Sequence, residues 1–214
     1  MIRGVPYDAE VEYLESTGTQ WIDTGLPMRS GTSMDARVLF SADRWQMVTG
    51  GYDYYSMGVG ESSAKWFLTY NDTGSGGEVA VNTWYDISVL FKKDSSVLDV
   101  DSAQVIAVGN SGTINRSSTL GLFCRERYGS GADAYMYGKI AYARFYYNGA
   151  LVRDFIPVRI GSGSSAVGAM YDRVTKKLFR NKGTGAFKWG SDVARPVMGL
   201  HFMKPRDVNL SEVA

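Results

Sequence analysis

Cysteine, histidine, proline and unbalanced charge are all scarce in this chain. Its 214 residues include one cysteine, Cys124, so no intramolecular disulfide framework and no cysteine-rich zinc module forms. One histidine removes every multi-histidine metal site and leaves little room for a histidine-dependent triad. The 23 basic and 22 acidic residues leave a net charge of +1, so no global field recruits nucleic acid or an acidic membrane. No stretch approaches the roughly 18 consecutive apolar residues of a membrane-spanning helix. Residues 1–10 contain no apolar core of a secretory signal, so none is expected, and a lone thiol suits folding in a reducing cytosol. Cys124 ends the apolar run Leu120–Cys124, which reads as a buried inert thiol because reactive thiols need an electropositive, partly exposed setting.

What is abundant is glycine and short alternating runs. There are 25 glycines and only 5 prolines, where average usage gives about 15 glycines; the excess points to tight turns and away from helical bundles. Apolar residues make up 44%, enough for a sizeable core. Period-two patterns dominate. In Thr32–Phe40, Met34, Ala36, Val38 and Phe40 share one face. In Trp84–Phe91, Tyr85, Ile87, Val89 and Phe91 do so. In Lys139–Tyr147, Ala141, Ala143, Phe145 and Tyr147 oppose Ile140, Tyr142, Arg144 and Tyr146. Shorter runs include Gln46–Gly50, Tyr55–Val59, Lys65–Tyr70, Ser96–Val100, Gln104–Val108 and Leu151–Val158. Asp101-Ser102 and Asn148-Gly149 read as two-residue hairpin turns, and Asn71–Gly77 as a flexible loop. The one window with helical character, Ser164–Phe179, is better read as strand, turn at Asp172–Lys177, strand, because β-branched residues and Gly168 interrupt it. Strands recurring every 8–12 residues predict an all-β, two-sheet antiparallel sandwich. Trp21, Tyr85, Phe91, Phe145, Phe155 and Phe187 are its expected inward anchors. After Gly190 the texture changes, which divides the chain into an N-terminal arm (1–11), one domain (12–190) and an extended C-terminal arm (191–214).

Two end motifs carry a resemblance. The run Tyr13-Leu14-Glu15-Ser16-Thr17-Gly18-Thr19-Gln20-Trp21-Ile22-Asp23-Thr24-Gly25 resembles the opening of laminin-G-like jelly-roll domains in the concanavalin-A-like lectin/glucanase superfamily. The closing half is similar too, through Asn148–Val158, Met170-Tyr171-Asp172 and Leu178–Phe187. The resemblance spans about Glu12 to Gly190 and implies two packed antiparallel sheets with the first and last strands adjacent. Such domains occur in bacterial surface proteins and in bacteriophage structural proteins. It implies, as a first reading, a non-catalytic virion component (head decoration, head fibre or tail-associated), made in the host cytoplasm and partnered by other virion proteins or by copies of itself. The alternative is a bacterial carbohydrate-binding or adhesion module, and the third reading is a glycoside hydrolase. The fold hosts all three, so it does not choose among them.

Candidate sites follow from chemistry. Sugar binding needs aromatic platforms beside polar groups. The candidate glycan contacts are Trp45, Tyr52, Asp53, Tyr54, Tyr55, Trp66, Asn71 and Tyr128. Retaining glycosidases need two carboxyls about 5–5.5 Å apart. Glu10 and Glu12 share a face but lie on an edge run, and Glu126 and Asp133 flank a glycine-rich loop; no catalytic residue is assigned and no enzyme is expected. No cofactor is assigned. Calcium, which wants about 6–8 oxygens, has Asp53, Asn71, Asp72 and Asp133 as candidate donors, without a dense acidic loop. The basic residues are scattered, with Arg173, Lys176, Lys177 and Arg180 forming only a hairpin patch, so no nucleic-acid partner is expected.

Overall fold

The computed structural model describes residues 4–52, 55–60, 64–109, 112–127 and 130–193. In chain order the strands begin with β1 (Ala9–Glu10), β2 (Leu14–Thr17), β3 (Ile22–Arg29), β4 (Thr32–Phe40), β5 (Gln46–Gly51) and β6 (Tyr55–Val59). They continue with β7 (Lys65–Tyr70), β8 (Asp72–Glu78), β9 (Trp84–Phe91), β10 (Ser96–Val100), β11 (Ala103–Val108) and β12 (Asn115–Leu122). The rest are β13 (Arg125–Glu126), β14 (Ala132–Asp133), β15 (Tyr137–Tyr147), β16 (Ala150–Ile160), β17 (Val167–Asp172), β18 (Lys177–Phe179) and β19 (Lys188–Trp189). Apart from one 3₁₀ turn at Gly163–Ser165, the described residues hold no helix.

These strands form two sheets. The larger runs β11-β10-β9-β4-β15-β16-β17-β18, and the smaller runs β14-β13-β5-β6-β7-β8 with β12 joining β5 to β3. Every strand pair is antiparallel except the short β13–β5 contact. The inward residues of both sheets make one core, from Met34, Val38 and Phe40 of β4 and Val89 and Phe91 of β9 to Met57 and Trp66 across from them. The chain is a two-sheet jelly-roll β-sandwich, as its periodicity predicts.

Several local details follow from, or correct, the pattern. β4 and β9 begin and end where alternation does. Asp101 and Ser102 (φ 50° and 69°) and Asn148 and Gly149 (φ 48° and 81°) take the left-handed backbone that two-residue hairpins need. In β15 the register shifts between Ile140 and Tyr142. That bulge turns Ile140 onto the core face with Ala143 and Phe145, where strict alternation puts it on the other. The expected loop Asn71–Gly77 is instead a turn and a strand. β8 pairs with β7 along its length, and its glycines let it lie against β11. A Cβ on Gly74 would sit 2.5 Å from a Val108 methyl, and one on Gly76 would sit 2.4 Å from the Val105 carbonyl oxygen. Glycine here marks close approach of two sheets, not flexibility.

Two segments distant in sequence, residues 9–17 and 188–193, close the larger sheet. β15 and β16 pair from Ala143/Phe155 to their hairpin turn and part beyond it. The gap is filled by residues 9–17, which pair first with the far end of β16 and then with the start of β15. Residues 188–193 pair back onto them, through Lys188 with Glu15, Trp189 with Leu14 and Val11 with Asp192. The segment read as an N-terminal arm is therefore docked on its own sheet. Tyr7 is buried against Val158, Ala169 and Tyr171 in a second small core on the outer face, and Asp8 accepts the Gly161 amide at 2.7 Å. Of the C-terminal arm, 191–193 continue this pairing and 194–214 lie outside the described residues.

The opening and closing motifs meet. Asn181 Oδ1 accepts the backbone amides of Trp21 (3.1 Å) and Gly183 (2.9 Å), and Lys182 N–H donates to the Trp21 carbonyl. Gly183 crosses Thr19 so tightly that a Cβ would sit 1.8 Å from its carbonyl oxygen.

Candidate functional site

The small β13–β14 hairpin organises the main polar and aromatic cluster. Arg125 and Asp133 are directly opposite across it, so their side chains share one face. Arg125 grips Asp133 with two bonds, Nε to Oδ1 at 2.8 Å and a terminal nitrogen to Oδ2 at 2.9 Å. Arg127 reaches the same carboxylate at 3.2 Å. Each guanidinium also lies over a ring: Arg125 is 4.9 Å from the centroid of Trp45, and Arg127 is 6.0 Å from that of Tyr52. Trp45 and Tyr52 flank the two ends of β5, and the Tyr52 amide donates to the Glu126 carbonyl at 2.7 Å. The bidentate pair and the stacked cations hold both half-buried rings in place. The Tyr135 phenol sits nearby, raised by burial and then by the neighbouring Cys124 and Asp133.

On its other face the hairpin borders an open cleft of about 520 Å³. Trp21, Asp23, Ser117–Thr119, Glu126, Gly131 and Lys182 line it. Glu126 and Asp133, which flank the glycine-rich loop, thus take opposite faces of the hairpin, since neighbouring strand residues alternate. Asp23 Oδ1 is engaged by the Gly25 amide at 2.9 Å. Glu126 is 2% exposed. Cys124, beneath, is buried, and its thiol is pushed well above the usual range by burial and then by Glu126, Asp133 and Asp23. The edge carboxylates are used structurally: Glu10 accepts the Tyr7 hydroxyl at 2.8 Å and Glu12 the Ser191 amide at 3.1 Å.

Of the eight sequence candidates, the structure brings Trp45 and Tyr52 to one site. Tyr55 and Trp66 are corrections. Tyr55 stacks on Phe91 at 4.2 Å and donates its hydroxyl to the Arg29 carbonyl. Trp66 packs edge-on against Phe40 and Tyr85 at 5.5 and 5.3 Å. Both are 1% exposed, on the inward positions of β6 and β7, and neither presents a face to a ligand. Asn71 sits in the β7–β8 turn with φ 60°, its amide against Gly112. Asp53, Tyr54 and Tyr128 lie outside the described residues. Arg125, Arg127, Trp21 and Lys182 were not singled out as ligand contacts; their grouping depends on pairings across the hairpin and on the contact of the two end motifs. No group of three or more histidine, cysteine, aspartate or glutamate side chains gathers among the described residues as a metal site would require, and Asp133 is already held by two guanidiniums.

A second polar face lies outside the larger sheet. There Arg37 meets Asp86 at 2.8 Å, Tyr142 donates to Asp86 at 3.3 Å, and Arg144 and Arg173 share Asp154 at 3.4 and 2.8 Å. The Tyr142 phenol is raised by burial and then by Asp86. Each of these three arginines is answered by a neighbouring aspartate.

No protein-family model and no curated protein sequence matches the chain. Among solved structures it is similar to a Bacteroides ovatus protein provisionally assigned to carbohydrate binding, with TM-score 0.62, 9% identity and 86% of this chain covered. The aligned part is 62% of that protein's length. It is also aligned with a heptameric SAP-like pentraxin from Limulus polyphemus (TM-score 0.49, 11% identity, covering 65% of this chain and 76% of that one). A third alignment is with domains LG4-5 of the mouse laminin α1 chain (0.48, 10%, covering 89% and 80%). At these identities the first likeness establishes the fold and nothing finer.

Proposed function

We propose that this protein is a non-catalytic carbohydrate-binding module whose sugar contacts are Trp45 and Tyr52. The observation that carries this reading is the pair of half-buried rings held by Arg125, Arg127 and Asp133 on one face of the β13–β14 hairpin, whose other face borders the 520 Å³ cleft. A pyranose ring offers an apolar face and a belt of hydroxyls. Fixed aromatic rings take the first, and carboxylate and guanidinium groups take the second. The Bacteroides ovatus protein supports the reading by its assignment as well as its fold. Binding without turnover fits the commitment of Asp23 to a local turn and of Asp133 to two arginines.

The test is a glycan array with the full chain, followed by titration of any hit. Trp45→Ala and Tyr52→Ala should each weaken binding at least fivefold, the loss of about 1 kcal/mol or more expected for a central anchor. Binding unchanged in both variants, or none to any glycan, would refute the proposal. Release of reducing sugar, abolished by Glu126→Gln, would replace it with a hydrolase. The virion reading rests on the sequence resemblance alone, and the three structures named above give it no support; copurification with a phage particle is its test.

A further inference from the structure

We propose that the sandwich end around Arg29 and Tyr147 binds a carboxylate attached to a branched aliphatic group, as presented by a peptide ending in leucine or valine. This site is separate from the sugar site: Arg29 closes β3, at the opposite end of that strand from Trp21. Tyr147 closes β15, beside the Asn148-Gly149 turn. The exposed Arg29 guanidinium lies 5.7 Å from the centroid of the Tyr147 ring.

Three observations define the ligand. The first is charge. Arg37, Arg125, Arg127, Arg144, Arg153, Arg159 and Arg173 each meet an aspartate. Among the described residues no carboxylate pairs with Arg29, nor with Arg44, Arg116 or Arg180; Arg29 is the one that also lines the apolar slot described next, where its fork is open to a bidentate acid. The second is an apolar slot of about 110 Å³ between Arg29, Leu26, Pro27 and Val152. At ~30 Å³ per water-sized group, it holds roughly four heavy atoms, the size of an isobutyl group. Thr32 is its only non-aromatic polar side chain besides Arg29. With a mostly apolar lining and few polar groups, the slot favours an aliphatic branch over an acylated sugar, whose several polar groups would lose more water than these few partners replace. The third is continuity. A wider groove of about 310 Å³, sharing Arg29 and Tyr147, runs on past Ser30 and Thr113 and would carry the preceding peptide unit. The surrounding surface is already apolar, with Tyr147 and Leu151 both substantially exposed, as expected of an unfilled contact site. Capture of a chain-terminal carboxylate beside a side-chain pocket is an established mode of peptide recognition.

The experiment uses the full chain and a fluorescent peptide ending in Ala-Leu, read by anisotropy. The free-acid peptide should bind at least tenfold more tightly than its C-terminal amide. Arg29→Gln, an exposed change whose folding is checked by its thermal melt, should cost a similar factor and leave glycan binding untouched. Competition by 4-methylpentanoate at millimolar concentration supports the shared chemistry; if that acid binds as tightly as the peptide, the natural ligand is a small acid and the peptide assignment falls. Equal binding of acid and amide, no effect of Arg29→Gln, or no binding of either probe overturns the site.

Discussion

Replacing Gly76 with alanine tests whether the two sheets meet where β8 lies against β11. Gly76 lies outside the left-handed backbone region, so alanine meets no conformational penalty there. At such a position a glycine-to-alanine change ordinarily stabilises by about 0.4–1 kcal/mol, because the unfolded chain loses freedom. At Gly76 the added Cβ would sit 2.4 Å from the Val105 carbonyl oxygen, a backbone atom that no rotamer change removes. Restoring ordinary contact requires the strands to part by about 1 Å, and overpacking of this kind costs about 1–3 kcal/mol. The net expectation runs from neutral to a destabilisation of roughly 2.6 kcal/mol, a fall in Tm of up to about 10 °C for a domain of this size. Gly109→Ala is the control: among the described residues its Cβ would have nothing nearer than the Asp94 carbonyl at 3.7 Å, and it should stabilise slightly. Urea titration of both variants measures the difference. If Gly76→Ala stabilises as Gly109→Ala does, the close packing of β8 on β11 is wrong.

Three further outcomes are expected. Asp172, fully buried, accepts the Asp154, Val174 and Thr175 amides and the Thr175 hydroxyl and lies 3.6 Å from Arg153; Asp172→Ala should cost about 3–5 kcal/mol in denaturant titration, and a loss below 1 kcal/mol would contradict that network. Asp8 is held below the usual carboxylate range by the Gly161 amide, and Asp192 by Arg159. Because both folded values lie beneath the unfolded one near 3.8, their contribution is complete above that pH and is lost as pH falls through the lowered values; amide exchange at Ala9, Glu10 and Val193 should quicken in that window ahead of the core, and uniform protection would contradict it. Cys124 should resist thiol reagents until the domain unfolds, since burial disfavours its thiolate; labelling at the rate of an exposed cysteine would disprove the burial.

Much of the fold was legible because period-two alternation survives wherever one face is wet. Thr32–Phe40 and Trp84–Phe91 show this directly. What alternation missed has specific causes. The Ile140 bulge shifts the period by one residue. β8 has no apolar side chain to alternate: three of its seven residues are glycines, two of which admit a neighbouring strand, and the rest are polar. Tyr55 resembled a binding-loop aromatic through its glycine- and tyrosine-rich surroundings, and Trp66 through the nearby Tyr70, Asn71 and Asp72, yet Tyr55-Met57-Val59 and Trp66-Leu68-Tyr70 already alternate as core positions. The site was less legible. Trp45 and Tyr52 stood out as aromatic residues, but the arginine over Trp45 comes from 80 positions later, Arg125, by way of a hairpin only two residues long on each side.

The seam that closes the larger sheet has a mechanical meaning. Residue 10 faces 193 and residue 15 faces 188 across the ladder, so tension between the two ends acts at the same extremity of that ladder. Such a load opens the bonds in succession, each rupture passing the force to the next, instead of straining them all in parallel. Held by both ends, the protein would yield gradually at its rim while the sandwich behind it stayed whole; held by one end and by a ligand on its surface, it would not be peeled in this way.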